Sequence, residues 1–253
     1  MPERHATELV LDDWLCDVVG HPCFRLAYPA AAQAAVLLKR LLEAARGGNA
    51  FAYAKLPTHD VAACSRLTQA GFDLVDTAVT LAWTGGENKQ TGGYAVTEVM
   101  GSDYGQLPTV ARRSFRLSRF HLDPLFPDDI ADAIKEKWVE SYCQGRRGDA
   151  LYAARFDGRD AGFLAALATG EGAGRRAVID LVGVAPEFRG RGLGRGLVMA
   201  FVDGWKSRAA ELRVGTQAAN IPSLRLYESC GFSIVETSYV LHAHVKNGAI
   251  IRC

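Results

Sequence analysis

The stretch "VAPEFRGRGLGRGL", residues 184–197, constrains this chain more than any other. Gly190, Gly192, Gly194 and Gly196 fall on alternate positions among Arg189, Arg191 and Arg195. An apolar run, "AVIDLVGV", leads in, and "GLGRGLVMAFVDGWKSRAA" leads out with Leu193, Leu197, Phe201 and Trp205 four apart. The order is strand, glycine turn, helix. Glycines at 190, 192 and 194 let backbone amides approach a ligand with no Cβ in the way. The turn enters a helix N-terminus, where several amides lack an internal partner and the dipole favours an anion. Arg189 and Arg191 can add charge-assisted hydrogen bonds. The pattern predicts a pyrophosphate site; the alternative is a glycine-rich turn with solvated arginines.

Spacing removes two kinds of phosphate loop. A P-loop needs Gly-Lys followed by Ser or Thr, a triplet the chain does not contain. A dinucleotide fingerprint needs G-x-G-x-x-G, but the last position falls on Arg195 from Gly190 and on Leu197 from Gly192. What is left is Arg189-Gly190-Arg191-Gly192-Leu193-Gly194, an R-x-x-G-x-G after "VGVAP". Here the chain resembles the GNAT (Gcn5-related) N-acyltransferase superfamily: an apolar strand, V-x-P, two spacers, R-G-x-G-x-G and a helix, in that order.

The resemblance implies an α/β (α+β) fold with a mixed, mostly antiparallel sheet and flanking helices. It makes acetyl-CoA the co-substrate and names a coenzyme site at Val182, Gly183, Val184, Arg189, Gly190, Arg191, Gly192, Leu193, Gly194, Asn220, Ser223 and Tyr227. The thioester carbonyl would be held by a backbone N–H at Val184 or a neighbour, with Gly183 marking a bulge where strands splay. Tyr227, in "NIPSLRLYESCGF", stands where many GNAT enzymes place the tyrosine that protonates the coenzyme A thiolate. A phenol with a pKa near ~10 stays protonated at neutral pH. Asn220, Ser223 and Tyr227 are three and four apart, on one helix face. The competing readings make Asn220 a helix N-cap, with Pro222 in the first turn, and Tyr227 a core tyrosine. Asp180 is the nearest carboxylate for a general base; its rival role is a buried acid paired with Arg175 or Arg176.

Over 253 residues there is room for one large domain or two small ones. "TGGENKQTGG", residues 84–93, has no apolar side chain and reads as a linker. It divides a small α/β domain, 1–88, from the GNAT domain, 89–253. Before it, "AAAQAAVLLKRLLEAAR" has the spacing of an amphipathic helix, and the strands "AFAYAKL" and "FDLVDTAVTLAW" flank a helix near 61–70. After it come a helix in "PDDIADAIKEKWVESYCQG", a hairpin turning at Asp157-Gly158, and the strands "ELRVGT" and "FSIVETSYVLHAHV" around a helix at 221–229. At an offset of 160, Gly71, Phe72, Val75, Thr77 and Leu81 match Gly231, Phe232, Val235, Thr237 and Leu241. The front half thus reads as a degenerate GNAT-like copy without the Gly/Arg loop.

The remaining signals mostly exclude. A net charge of +1 gives no nucleic-acid footprint. The six cysteines contain no Cys-x-x-Cys pair, so neither a zinc site nor a redox motif is indicated and reduced thiols fit. The acidic N-terminus is no signal peptide and no run is long enough to span a membrane, so a cytoplasmic protein is expected. His242 and His244 share a strand face, but with no third ligand in view they read as a surface pair; no metal is expected. A homodimer is compatible with the sequence. "SFRLSRFHLDP" offers Arg116, Arg119, Phe120 and His121 to a nucleotide's phosphates and base. The alternative is an ordinary helix-to-helix connection. "SRFHLDP", "KWVESY" and the degenerate front half resemble the TDP-fucosamine N-acetyltransferases. That resemblance implies acetylation of the 4-amino group of a TDP-4-amino-4,6-dideoxygalactose. Another small amine or a protein N-terminus, or a coenzyme A sensor without catalysis, is the alternative.

Overall fold

The computed structural model describes residues 9–27, 34–86, 95–99 and 103–253. In chain order the elements are β1 (Leu9–Leu11), α1 (Asp13–Val19), β2 (Cys23–Leu26), α2 (Ala34–Ala45), β3 (Ala50–Pro57), α3 (Val61–Ala70) and β4 (Asp73–Trp83). Then follow β5 (Ala95–Glu98), α4 (Leu107–Ser114), α5 (Asp128–Cys143), β6 (Ala150–Phe156), β7 (Arg159–Thr169) and β8 (Arg176–Val184). The chain finishes with α6 (Leu193–Trp205), β9 (Glu211–Gln217), α7 (Ile221–Ser229), β10 (Phe232–Lys246) and β11 (Ala249–Ile251).

These elements form two compact units, and the units do not divide at the expected linker. One comprises Met1–Ala78, Ser118–Ile130 and Thr237–Cys253; the other comprises Val79–Leu117 and Ala131–Glu236. The boundary expected at residue 88 is therefore replaced by cuts inside β4 and β10, and the "SRFHLDP" segment joins the first unit. Strand propensity runs unbroken through β4 and β10, so no local signal marks the cuts. Of the expected linker, residues 87–93 lie outside the described residues, while Thr84 still donates its N–H to the Gly231 carbonyl at 2.8 Å.

In the first unit β1 pairs antiparallel with β2, β2 runs parallel to β3, and β3 pairs antiparallel with the later part of β10. The alternation in "AFAYAKL" is the cause of its packing. Ala50, Ala52, Ala54 and Leu56 share one buried face with Leu241, Ala243 and Val245, and the small alanines keep that face flat. Leu37, Leu41 and Leu67, from α2 and α3, cover it and are themselves buried. Each such leucine contributes about 1.5–3 kcal/mol of burial.

In the second unit β9 runs parallel to β8, while β8, β7, β6 and β5 pair antiparallel in succession. The hairpin turns where expected: Asp157 (φ 48) and Gly158 (φ 71) are both left-handed, as a two-residue hairpin turn requires. The predicted stripe Leu193, Leu197, Phe201 and Trp205 of α6 is buried throughout. The four-residue spacing put those side chains on one side of the helix, and that side is the core.

At the offset of 160 the geometry recurs. Asp60 and Asn220 are the N-caps of α3 and α7, with φ/ψ of −89/64 and −87/64. Their side chains accept from the backbone N–H of Ala63 (2.9 Å) and Ser223 (3.3 Å). Gly71 (φ 114) and Gly231 (φ 87) follow the two helices in the left-handed region.

Candidate active site

The site is built on β8 in the second unit. Its register with β9 runs only from Arg176↔Glu211 to Ile179↔Val214, after which the two strands separate. On its other edge β8 stays paired with β7 to Val184, and Ala185 donates to the Ala161 carbonyl at 2.9 Å. Antiparallel ladders alternate, so from Leu181 to Ala185 the odd amides face β7. The amides of Val182 and Val184 therefore point the other way, into the gap that β9 leaves. Two backbone dipoles aimed into an opening are what an oxyanion needs.

The bulge lies three residues earlier than the sequence suggested. Ala165 opposes Leu181 and Ala166 opposes Ile179, which leaves Asp180 as the extra residue, whereas Gly183 sits in register against Phe163. Gly183 is glycine for a different reason. A Cβ there would stand 2.9 Å from both Phe163 and the Ser114 side chain, so the end of α4 could not pack as closely.

Beyond Val184 the chain turns through Pro186–Phe188, anchored by the buried Phe188 ring, into Gly190 and Gly192. Both glycines have positive φ, +75 and +81, which a side chain would resist. Gly192 is the N-cap of α6 and offers no side chain to its amides; the first helical bond is Gly196 N–H to the Gly192 carbonyl. A Cβ at Gly190 would meet open space, so the glycine keeps the turn's shape and leaves its outer face clear. This cradle fits a pyrophosphate: Leu193 and Gly194 would present helix-end amides to it.

The arginines behave differently from expectation. Arg189 turns back and donates from Nε to the Val184 carbonyl at 3.2 Å and from a terminal nitrogen to the Ser114 carbonyl at 2.8 Å. It ties the loop to β8 and α4, because carbonyls left without a ladder partner take the nearest strong donor. Arg191 lies over the Phe156 ring at 4.8 Å. Ser114, not foreseen from the sequence, is thus part of the site through its carbonyl and its contact with Gly183. Nothing in "ARRSF" signals this, since both roles come from neighbours distant in sequence.

On α7, Asn220 is the N-cap, as its competing reading held, with Ser223 supplying the capped amide. Tyr227 is 3% exposed, and its ring centroid lies 6.2 Å from that of Phe232. Burial pushes its phenol up from the ordinary value, so it is fully protonated at neutral pH. Asp180 does not pair with Arg175 or Arg176. Its Oδ2 accepts from Trp138 Nε1 (2.8 Å), the Tyr142 hydroxyl (2.7 Å) and Arg147 Nε (2.7 Å). Arg176 instead bonds Glu211, its neighbour across the parallel ladder.

Of the four residues offered to a nucleotide, Arg116 has 65% of its side chain exposed, with Asp132 at 3.3 Å and the Phe115 carbonyl at 2.7 Å. Arg119 stacks on Tyr53 (3.9 Å) and Phe120 (4.4 Å) in the first unit. Phe120 is 1% exposed, so its ring serves the core and offers no stacking face. His121 bonds the Ser118 hydroxyl at 2.6 Å. His242 and His244 are not a surface pair. Both donate to Asp123 Oδ2, at 2.6 and 2.7 Å, on the sheet face opposite α2 and α3.

Comparison with known proteins agrees with this architecture. Residues 116–232 match the model of the acetyltransferase (GNAT) family. Over 134 residues the chain is 28% identical to the spore coat polysaccharide biosynthesis protein SpsD of Bacillus subtilis (strain 168). That match covers 53% of this chain and 45% of SpsD, so it spans less than half the length of that relative. Among solved structures, a putative acetyltransferase of the GNAT family from Novosphingobium aromaticivorans aligns with a TM-score of 0.54 at 19% identity, covering 88% of this chain and 83% of that one. A tandem GNAT protein from the clavulanic acid biosynthesis pathway aligns with a TM-score of 0.59 at 16% identity, covering 89% and 76%. The fold is a mixed α/β GNAT fold with a mostly antiparallel sheet and flanking helices. Among the described residues no helix is long and apolar enough to cross a membrane.

Proposed function

We propose that this chain is an N-acetyltransferase that moves the acetyl group of acetyl-CoA to a primary amine by direct attack in a ternary complex. The observation that carries the reading is a single one: β8 leaves β9 after Ile179, turns its Val182 and Val184 amides into the gap, and runs straight into a glycine cradle at a helix N-terminus. One strand end thus presents the polar groups for a thioester oxygen and for the pyrophosphate of the same molecule.

The chemistry follows from these parts. The amine nitrogen attacks the thioester carbon, the carbonyl oxygen gains charge against the Val184 amide, and the carbon–sulfur bond breaks. The amine's proton leaves to water. Tyr227, held as the phenol, supplies the hydrogen bond and proton for the departing thiolate.

The acceptor we assign is the 4-amino group of a TDP-4-amino-4,6-dideoxy sugar. The resemblance of "SRFHLDP" and "KWVESY" to the TDP-fucosamine N-acetyltransferases supports it, as does a relative named for polysaccharide biosynthesis. Arg116, two residues before "SRFHLDP" and exposed beside Asp132, is the group we offer to the nucleotide's phosphates; Arg119, Phe120 and His121 shape the segment. The test is free-thiol release from acetyl-CoA with TDP-4-amino-4,6-dideoxygalactose, against its 4-hydroxy counterpart. Amine-dependent release is expected. Release with other amines only would overturn the sugar assignment and keep the acyltransferase. Binding of acetyl-CoA with no release for any amine would leave a coenzyme sensor.

A further inference from the structure

In the first unit a buried polar cluster has no part in the chemistry above. Register places His242 opposite Tyr53 and His244 opposite Phe51, so both imidazoles stand on one face of the β3/β10 ladder. Asp123 descends onto them from the Ser118–Ile130 segment. Its Oδ2 lies 2.6 Å from His242 Nδ1 and 2.7 Å from His244 Nε2, while Oδ1 accepts the Leu125 amide at 2.9 Å. Side-chain exposure is 0% for Asp123, 1% for His242 and 12% for His244. Cys253 brings its Sγ to 4.0 Å from Asp123 Oδ1. Phe51 stands edge-on to His242 at 4.8 Å and packs on His244 at 5.0 Å; Phe126 lies 5.3 Å from His244.

We propose that Asp123, His242 and His244 bind one zinc-class divalent transition-metal ion, with the Cys253 thiolate as fourth ligand. The three core donors converge within 4.8 Å of one another, with Asp123 more than a hundred residues from the two histidines. Two imidazole nitrogens, a carboxylate and a thiolate form a borderline-soft tetrahedral set. The two anionic ligands cancel the ion's charge, which suits a site walled by phenylalanine. Bonds of about 2.0–2.3 Å put tetrahedral ligands roughly 3.3–3.6 Å apart. The two carboxylate–imidazole contacts would therefore open by about 0.6 Å. The Cys253 thiol, which contacts the other carboxylate oxygen and stands outside the group of three that converges within 4.8 Å, would have to swing in to complete the set. Metal-bound histidines normally donate their second N–H to an acceptor. Here Arg119 stands 3.5 Å from His242 Nε2, a donor facing what becomes a donor once Nδ1 holds the ion. Arg119 therefore weakens the site, and removing its charge should strengthen it.

The test uses the full chain stripped with a chelator, re-equilibrated with zinc and, separately, with cobalt(II). One equivalent of zinc per chain by elemental analysis, and a rise in Tm on adding zinc, are expected. Cobalt should give a thiolate charge-transfer band, which Cys253→Ser, a change at an exposed residue, abolishes while weaker metal binding persists. Arg119→Gln should tighten zinc by about tenfold, or ~1.4 kcal/mol. His244→Gln should lose the zinc-induced rise in Tm. Wild-type protein that retains no stoichiometric zinc and shows no Tm shift would overturn the site, and the cluster is then a hydrogen-bonded network only. Zinc retained without the cobalt band would overturn the Cys253 assignment.

Discussion

The two units carry the same helix–turn–strand passage 160 residues apart, yet among the described residues only the second ends a strand in a glycine cradle. α3 and α7 share their cap geometry to within a few degrees, so the scaffold is held in common. The side chains on it are not. Tyr227 corresponds to Leu67 and Ser223 to Ala63, both of them core residues in the first unit. Asp76, 8% exposed, corresponds to the surface Glu236. Before α6 stands "RGRGLG", whereas before α2 stands "AYPAAAQ", with no glycine. The sequence thus puts glycines before one helix and none before the other, and the phosphate site we propose needs the backbone freedom that glycine gives.

That comparison can be broken at matched positions. The largest effect is expected from Leu67→Ala, which should cost about 3 kcal/mol in chemical denaturation and leave the KM for acetyl-CoA unchanged. Its counterpart Tyr227→Phe should do the reverse. A fall of about a hundredfold in kcat, with Tm and coenzyme affinity held, marks a proton donor. An unchanged kcat would make Tyr227 the core residue that Leu67 is.

Next comes Asp76, whose pH response should be about 1–2 kcal/mol. Burial raises Asp76 to about 6, against the pull of the Thr77 amide, Lys55 and Arg119. A carboxyl whose folded pKa is raised stabilises below its unfolded value, near ~3.9, and loses that contribution as pH rises through about 6. Asp76→Asn should therefore raise Tm at pH 8, with the gain vanishing below about pH 4. The smallest effects belong to the caps. Asp60→Ala and Asn220→Ala should each cost about 1 kcal/mol. If Asn220→Ala alone also raises the KM for acetyl-CoA, the cap doubles as a coenzyme contact.

Much of this was legible in the sequence because it is local. Helix periodicity, a Gly-Arg turn and an Asp-Gly hairpin each declare themselves within a dozen residues. The short strands β1, β2, β5 and β11, three or four residues each, were not foreseen, because so few residues cannot display an alternation. The bulge falls at Asp180 and not at Gly183, since glycine is the conspicuous residue in the sequence while a bulge is a property of two strands. Asp123 was missed as the partner of His242 and His244 because 119 residues separate it from the first of them. Alternation could say that the histidines share a face, but not what descends on it.

The pairing of β3 with β10 also sets a schedule. Pro57 meets Ser238, and Ala50 meets Val245. While the chain is being made, the second unit has all its residues once Glu236 has been added. The first unit must wait for the strand that follows. Until then β3 holds an open edge with its backbone groups unsatisfied, a template for any passing strand. A strand made some 180 residues after β3 is thus the one that closes its edge, and truncations within β10 should show first as aggregation.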